Sequence, residues 1–107
     1  LISATIAGCN KADGCIAALP SKDTVKQVAE NNIQRTIDRD STWLAQTPQT
    51  FHKDILINAL QHDMVATDEA SMVEATGGTV AVTEGFAGNF KITTGEDWQL
   101  AENIIND

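Results

Sequence analysis

The feature that most constrains the fold is a short and wholly apolar run, Cys15–Leu19, which Pro20 ends. A strand with one face in water alternates apolar and polar residues, whereas an uninterrupted apolar run predicts a strand covered on both faces. Just upstream, Ile2, Ile6 and Cys9 recur at helical spacing and predict a helix that feeds this strand. A helix followed by a doubly covered strand predicts the α/β fold class.

The second half of the chain predicts further helices and strands. Apolar residues at helical spacing predict one amphipathic helix over Phe51–Leu60 and another around Ala70–Val73. Alternation predicts a strand at Thr79–Thr83, and Phe90–Thr93 is predicted as a second short strand. Thr94–Asp97 resembles a capping box and predicts the start of a closing helix.

A polar hairpin is predicted at about residues 20–43, and we call it the arm. Its two extended runs, Asp23–Val28 and Ile33–Arg39, flank the turn-forming residues 30–32. An isolated two-stranded ribbon is marginally stable in water, so the arm is expected to lean on another segment or another copy of the chain. Strict alternation places four residues of the second run on one face, namely Ile33, Arg35, Ile37 and Arg39.

The charge balance limits the class of partner. Fifteen acidic and seven basic residues give a net charge of -8 at pH 7. Because no basic stripe exists to displace counterions, nucleic acid is not expected as a partner. No apolar run approaches the roughly 20 residues that span a bilayer, so a membrane is not expected either. An anionic substrate must then be held by a few placed cations.

Neither a disulfide nor a metal site is predicted. Cys9 and Cys15 lack the CxxC spacing and a suitably spaced histidine, which predicts reduced structural thiols, although a disulfide between them is possible. The adjacent acids of the range 68–69 would point about 100° apart on a helix, where an acidic first turn is common. His52 and His62 would lie about 15 Å apart along one helix, too far to share a metal.

Five local patterns follow one another along nearly the whole chain: Ala18–Pro20 with Asp23–Lys26, Thr36–Arg39, Trp43–Phe51, Thr67–Ser71, and Asn89–Thr94 before Glu96 and Asp97. Their joint order resembles that of the 2-C-methyl-D-erythritol 4-phosphate cytidylyltransferases. The resemblance implies the C-terminal part of a Rossmann-like nucleotidyltransferase fold, with residues 1–107 forming part of a single domain. It also implies that the β-hairpin arm protrudes to interlock two subunits as a homodimer.

The resemblance implies that the full-length enzyme transfers CMP from CTP to 2-C-methyl-D-erythritol 4-phosphate and releases pyrophosphate, in isoprenoid-precursor synthesis by the non-mevalonate route. The N-terminal half, which holds CTP and its Mg²⁺ in the family, is expected to precede Leu1, where the chain opens on an apolar helical pattern without Met. The glycines of the ranges 77–78 and 85–88 lack the strand-loop-helix context of a phosphate-binding loop. We therefore expect no activity from this chain alone, and a cytoplasmic enzyme, or a plastid one if a transit peptide preceded it.

Five residues match the family's substrate-binding positions, and two of them, Arg39 and Lys91, are the catalytic candidates. Thr24 and Arg39 match arm residues that reach a neighbouring subunit's substrate phosphate. Thr47 and Thr67 match residues of the sugar-phosphate pocket, and Lys91 matches a lysine near the reacting phosphates. Their chemistry fits, because an Arg fork suits a phosphate monoester and Thr hydroxyls donate to phosphate or polyol oxygens.

Plainer explanations exist for each of these residues. Arg39 and Lys91 are ordinary surface charges without the resemblance, and Thr67 before two acids suits a helix N-cap. Thr24 reads as a strand residue and Thr47 as a loop residue before a proline. Two other functions also remain open at the level of sequence: a sister cytidylyltransferase acting on ribitol 5-phosphate, and a non-catalytic dimerisation module.

Overall fold

A computed structural model describes residues 1–62 and 66–106. Both helices and strands occur along these residues, which confirms the predicted α/β class. In chain order they are α1 (Ile2–Gly8), β1 (Gly14–Pro20), β2 (Val25–Ala29), β3 (Asn32–Ile37), a 3-10 turn (Arg39–Ser41), β4 (Trp43–Phe51), α2 (Lys53–Leu60), α3 (Glu69–Ala75), β5 (Val80–Glu84) and α4 (Gly95–Asn106).

Strand β1 is the centre of a three-stranded sheet ordered β4-β1-β5. It pairs antiparallel with β4 and parallel with β5. Four consecutive residues, Cys15 to Ala18, are buried, and because neighbouring side chains point to opposite faces, both faces of the strand are covered. Helix α1 contacts all three strands, and α3 contacts β1 and β5. The apolar run therefore forms the predicted doubly covered strand.

Hydrogen bonds between polar groups connect the elements around this core. Thr5 is fully buried on α1, where its hydroxyl lies 2.7 Å from the Thr50 hydroxyl and donates to the Ile2 carbonyl oxygen at 2.9 Å. The carboxylate of Asp13 accepts from the backbone N–H of Thr79 at 2.9 Å. These polar groups thus find partners within the fold, and the starts of β1 and β5 are held side by side.

Both cysteines are free and buried, in agreement with the prediction of reduced thiols. Cys9 Sγ donates to the backbone oxygen of Thr50 at 3.4 Å. Burial raises the pKa of the Cys15 thiol, and the neighbouring Cys9 raises it further. Gly8 packs directly on Cys15, because a Cβ on Gly8 would lie 2.7 Å from the Cys15 Cβ.

The arm is present as the antiparallel pair β2 and β3. Its turn residues, Glu30 and Asn31, have positive φ angles of 51° and 63°, the backbone that a tight two-residue hairpin requires. Lys26 Nζ donates to the Thr36 hydroxyl at 2.8 Å across the two strands. The structure thus confirms the hairpin itself, and its interlocking of two subunits stays a prediction.

A β-bulge in the arm changes which residues share a face. Gln27 pairs with Arg35 and Val28 with Ile33, so Gln34 is the extra residue of β3. Directly opposed residues share a face, and neighbours on β2 point to opposite faces. Ile33 therefore lies on the face opposite to Arg35, and the strict alternation predicted from sequence is wrong at this position.

The predicted closing helix is confirmed, whereas the predicted strand at Phe90–Thr93 is wrong. The backbone N–H of Asp97 donates to the Thr94 hydroxyl at 3.1 Å, and the N–H of Thr94 donates to the Asp97 carboxylate at 3.1 Å, which is a capping box. The backbone and side chain of Thr93 also donate to this carboxylate, and together these bonds lower the pKa of Asp97. Residues 90–93 pair with none of the described strands, and without ladder hydrogen bonds an extended segment is not a strand.

Candidate functional site

A groove of about 530 Å³ lies where the middle of β4, the start of α3 and the segment before α4 meet. Three of the five predicted site residues line it, namely Thr47, Thr67 and Lys91. All three are exposed, so their hydroxyl and ammonium groups are accessible. The structure therefore brings together one cation and two hydroxyl groups that are distant in sequence.

A bulge in β4 shapes the first wall of the groove. Ile16 of β1 pairs with Gln49 and Ala18 with Ala45, so β4 has three residues where β1 has one. Such an insertion bends a strand and redirects its side chains, and it is one of the few places where a strand accepts proline. Pro48 lies in this bulge, after a cis peptide bond with Thr47. Thr47 is consequently a strand residue rather than the predicted loop residue.

Gln49 joins this wall to the second one, the start of α3. Its Nε2 donates to Asp68 Oδ2 at 3.0 Å and to the Gln46 carbonyl oxygen at 3.2 Å. Its Oε1 accepts from the backbone N–H of Ala70 at 3.3 Å. Donor and acceptor of one amide group thereby hold the first turn of α3 against β4.

Asp68 is the N-cap of α3, so the interpretation of Thr67 as the cap is wrong. Asp68 Oδ1 accepts from the Ser71 N–H at 2.9 Å and from the Ser71 hydroxyl at 2.6 Å. Burial by itself raises the pKa of Asp68, but the hydrogen bonds from Ser71 and Gln49 outweigh it and leave the pKa below its ordinary value. Thr67 is therefore not needed as the cap, and its hydroxyl lies 3.4 Å from the Ser71 hydroxyl while the residue lines the groove.

The third wall is the segment that carries Lys91. Asn89 Nδ2 donates to the Thr47 carbonyl oxygen at 2.6 Å. Gln46 Nε2 donates to the Phe86 carbonyl oxygen at 3.0 Å. Both bonds connect this segment to the bulge in β4, and Asn89 lies two residues before Lys91.

Thr24 and Arg39 do not line this groove. Thr24 lies just before β2, and Arg39 lies in the 3-10 turn that leads from β3 towards β4. Both are exposed, and Arg39 Nη1 donates to the Lys22 carbonyl oxygen at 3.4 Å. The two arm candidates therefore lie together near the base of the arm, apart from the groove residues of the same chain.

Sequence reasoning missed the residues that organise the groove, namely Gln46, Gln49, Asp68 and Asn89. A usable signal was present, since Pro48 interrupts a stretch rich in strand-forming residues. A proline inside a strand indicates a bulge, and polar side chains beside a bulge are natural candidates for a site. The sequence assigns Asp68 to the acidic first turn of a helix and does not indicate its bond to Gln49.

The described residues offer neither a metal site nor a membrane segment. Within residues 1–62 and 66–106, no three His, Cys, Asp or Glu side chains come close enough to hold a metal ion. No helix in the same ranges has the length and apolarity needed to cross a bilayer.

Comparison with solved structures defines the class of protein. The chain superimposes on 2-C-methyl-D-erythritol 4-phosphate cytidylyltransferase from Thermus thermophilus with a TM-score of 0.84 and 31% identity, over 100% of this chain and 55% of the other. It superimposes on 4-diphosphocytidyl-2C-methyl-D-erythritol synthase from Anaerococcus prevotii with a TM-score of 0.86 and 32% identity, over 100% and 52%. The fold is thus that of part of an α/β nucleotidyltransferase.

Sequence comparison then gives the family. Residues 1–107 match the family described as IspD, 2-C-methyl-D-erythritol 4-phosphate cytidylyltransferase, and the chain belongs to this family. Relatives of that name include those of Bacillus licheniformis, 48% identical over 84% of this chain, and Alkaliphilus oremlandii, 41% identical over 98%. The chain spans 41% and 47% of these two relatives, less than half of their length.

Proposed function

We propose that the full-length protein transfers CMP from CTP to 2-C-methyl-D-erythritol 4-phosphate and releases pyrophosphate, a step of isoprenoid-precursor synthesis in the cytoplasm or a plastid. By full-length protein we mean a polypeptide that carries this chain together with the further segment its relatives possess. Family membership supports the proposal. The observation that carries it is the convergence of Thr47, Thr67 and Lys91 on one groove.

The reaction makes modest demands on the protein. A phosphate oxygen of the sugar alcohol attacks the α-phosphorus of CTP, a new P–O bond forms, and the bond from that phosphorus to the β-phosphate bridging oxygen breaks. The bonding electrons leave with pyrophosphate. No covalent intermediate on the protein is required, so positioning and charge neutralisation account for most of the catalysis.

The groove residues suit these two tasks. The ammonium group of Lys91 neutralises negative charge on the reacting phosphates, a contribution that matters in a chain of net charge -8. The hydroxyl groups of Thr47 and Thr67 each donate one hydrogen bond and accept others, so they can hold polyol or phosphate oxygens. The groove thus provides the sugar-phosphate side of the reaction.

The arm supplies the second cation from another copy of the chain in this proposal. Arg39 and Thr24 are exposed near the base of the arm and do not line the groove of their own chain. At the arm, Val28 and Ile33 form a directly opposed apolar pair with exposed fractions of 56% and 62%. Burying such a pair against a second subunit would stabilise the homodimer and carry Arg39 to the partner's substrate phosphate.

In this proposal, CTP and its Mg²⁺ are bound by the further segment that the relatives possess. Among the described residues no three His, Cys, Asp or Glu side chains are grouped to hold a metal ion, and no step of the reaction is assigned to the metal. Residues 1–107 alone are consequently proposed to be inactive.

Turnover by the full-length protein tests the proposal directly. CTP is incubated with either 2-C-methyl-D-erythritol 4-phosphate or ribitol 5-phosphate, and pyrophosphate release is followed with time. We expect the methylerythritol substrate to be turned over with the higher kcat/KM. Preferential turnover of ribitol 5-phosphate would overturn the assignment, and so would the absence of turnover with both compounds.

A further inference from the structure

Lys91 lies on a segment that has little regular structure to hold it. From Gly85 to the start of α4 the described backbone forms no helix or strand. The Gly85 N–H donates to the Ala18 carbonyl oxygen at 2.8 Å, and the Asn89 N–H donates to the Phe86 carbonyl oxygen at 3.0 Å. These two bonds fix the beginning of the segment and one turn, so the position of Lys91 depends on side-chain contacts as well.

Two side-chain amides provide those contacts, and we call Gln46 and Asn89 the amide clamp. Asn89 Nδ2 donates to the Thr47 carbonyl oxygen at 2.6 Å and to Gln46 Oε1 at 3.3 Å. Gln46 Nε2 in turn donates to the Phe86 carbonyl oxygen at 3.0 Å. Both side chains are half-buried, and every one of these bonds links the bulge in β4 to the segment that carries Lys91.

Gly85 shows independently that the segment is fitted to this clamp. A Cβ at Gly85 would collide with Gln46 Oε1 and would lie 3.3 Å from Gln46 Cδ. A Cβ almost never approaches another atom as closely as this one would approach Gln46 Oε1, so a side chain at position 85 would displace the Gln46 amide from its partners. The absence of a Cβ at position 85 is what lets the segment approach β4 while the Gln46 bonds stay intact.

The geometry points to Asn89, acting with Gln46, as a positioning residue that holds Lys91 in the groove. Only amides satisfy this arrangement, because Asn89 must donate to two oxygens while Gln46 accepts with one atom and donates with the other. A carboxylate at position 89 would face two acceptor oxygens without a hydrogen to share. The catalytic part of this inference rests on the proposed function, in which Lys91 contacts the reacting phosphates.

The kinetic test is a double-mutant cycle in the full-length protein. Asn89→Asp keeps the shape of the side chain but removes both donors, and we expect kcat/KM to fall at least about tenfold. If Asn89 acts through Lys91, the loss of kcat/KM in Asn89→Asp divides between kcat and KM as it does in Lys91→Ala. Adding Asn89→Asp to Lys91→Ala should then change kcat/KM by less than about twofold. Fully additive losses would overturn the inference.

Two further variants separate the clamp from general damage. Gly85→Ala leaves both amides chemically intact but displaces Gln46, so it should show the same lack of additivity with Lys91→Ala. Asn103→Asp, on an exposed part of α4, is the matched control and should leave kcat/KM within about twofold of the parent.

Amide hydrogen exchange tests the clamp without reference to activity. In Asn89→Asp, the N–H groups of residues 85–91 should exchange at least about tenfold faster than in the parent, and in Asn103→Asp they should not change. Unchanged exchange in Asn89→Asp would refute the clamp even if the enzyme is active. Faster exchange in a protein that fails to use CTP would retain the clamp and reject the proposed function instead.

Discussion

Lys91 provides the groove with an exposed ammonium group beside the hydroxyls of Thr47 and Thr67. Lys91→Ala in the full-length protein should lower kcat/KM at least about tenfold, about 1.4 kcal/mol of transition-state stabilisation, because the charge that neutralises the phosphates is lost. Steady-state kinetics with both substrates measures this change. Lys11→Ala removes an exposed charge outside the groove and serves as control. Equal kinetics for both variants would remove Lys91 from the mechanism.

The substitution Gly8→Ala tests how closely α1 packs on β1. A Cβ at this position would lie 2.7 Å from the Cys15 Cβ and closer still to its Sγ, so Gly8→Ala must push apart α1 and β1. Overpacking of this kind costs about 1–3 kcal/mol of unfolding free energy, which urea denaturation measures. Gly95→Ala is the control, because its Cβ would meet nothing within 4 Å. A Gly8→Ala protein as stable as the control would contradict the close approach.

Asp68 makes the first turn of α3 sensitive to pH. Its pKa is depressed in the folded state, so its contribution to stability is fully present above the unfolded value of about 3.9 and is lost as the pH falls through the folded value. Asn is also an N-cap residue but does not ionise, so Asp68→Asn should be less stable than the parent at pH 7, and the difference should shrink towards about pH 3.

Urea denaturation of both proteins at several pH values measures this difference. The carboxylate of Asp97, whose pKa is also lowered, titrates in the same range, but it is present in both proteins and cancels. A difference in unfolding free energy that stays constant from pH 7 to about pH 3 would show that the charge of Asp68 does not stabilise α3.

The role of the arm can be tested by mixing two proteins of reduced activity, each of which lacks one of the two cations. If Arg39 acts in the partner's groove, a mixed dimer of Arg39→Ala and Lys91→Ala subunits has one site with both substitutions and one intact site. Random exchange of subunits at equal amounts should then restore about a quarter of the parent activity. Each variant alone, incubated under the same conditions, is the control. Failure to recover activity while mixed dimers form would show that Arg39 does not act across the interface.

The elements that could be predicted from sequence are those with a strong local signal. Cys15–Leu19 has no polar residue, so only a covered strand suits it, and Thr94–Asp97 carries its capping chemistry within one turn. The Phe90–Thr93 strand failed because strand formation depends on a partner that local sequence does not reveal. The bulges in β3 and β4 were missed for the same reason, since a register shift belongs to two strands at once.

At the scale of the whole molecule, the resemblance pointed to three residues that line the groove but not to the bonds that hold them there. Thr47, Thr67 and Lys91 were identified by resemblance, and the structure brings all three together. The supporting bonds of Gln49 and Asn89 join residues about 20 and 40 positions apart. Contacts of this range follow from the tertiary fold, which periodicity and local motifs do not encode.

The chain as it stands should fail to make product although its groove is formed. Residues 1–107 incubated with CTP and 2-C-methyl-D-erythritol 4-phosphate are expected to release no pyrophosphate above background, because the segment proposed to hold CTP is not supplied. The full-length protein at the same concentration is the positive control, and pyrophosphate release is the measurement. Turnover by the 107-residue chain would place CTP binding within these residues.

Strand β1 has a mechanical consequence for the groove. The bulged strand β4 is hydrogen-bonded to one edge of β1, and on the other edge Ala18 anchors the beginning of the Lys91 segment through Gly85. These two sides of the groove are therefore attached to the same strand, and the ladder hydrogen bonds of β1 resist its bending. The spacing between the Thr47 side and the Lys91 side of the groove is thus set by β1 within one chain, whereas Arg39 would have to be brought to that groove by the second subunit.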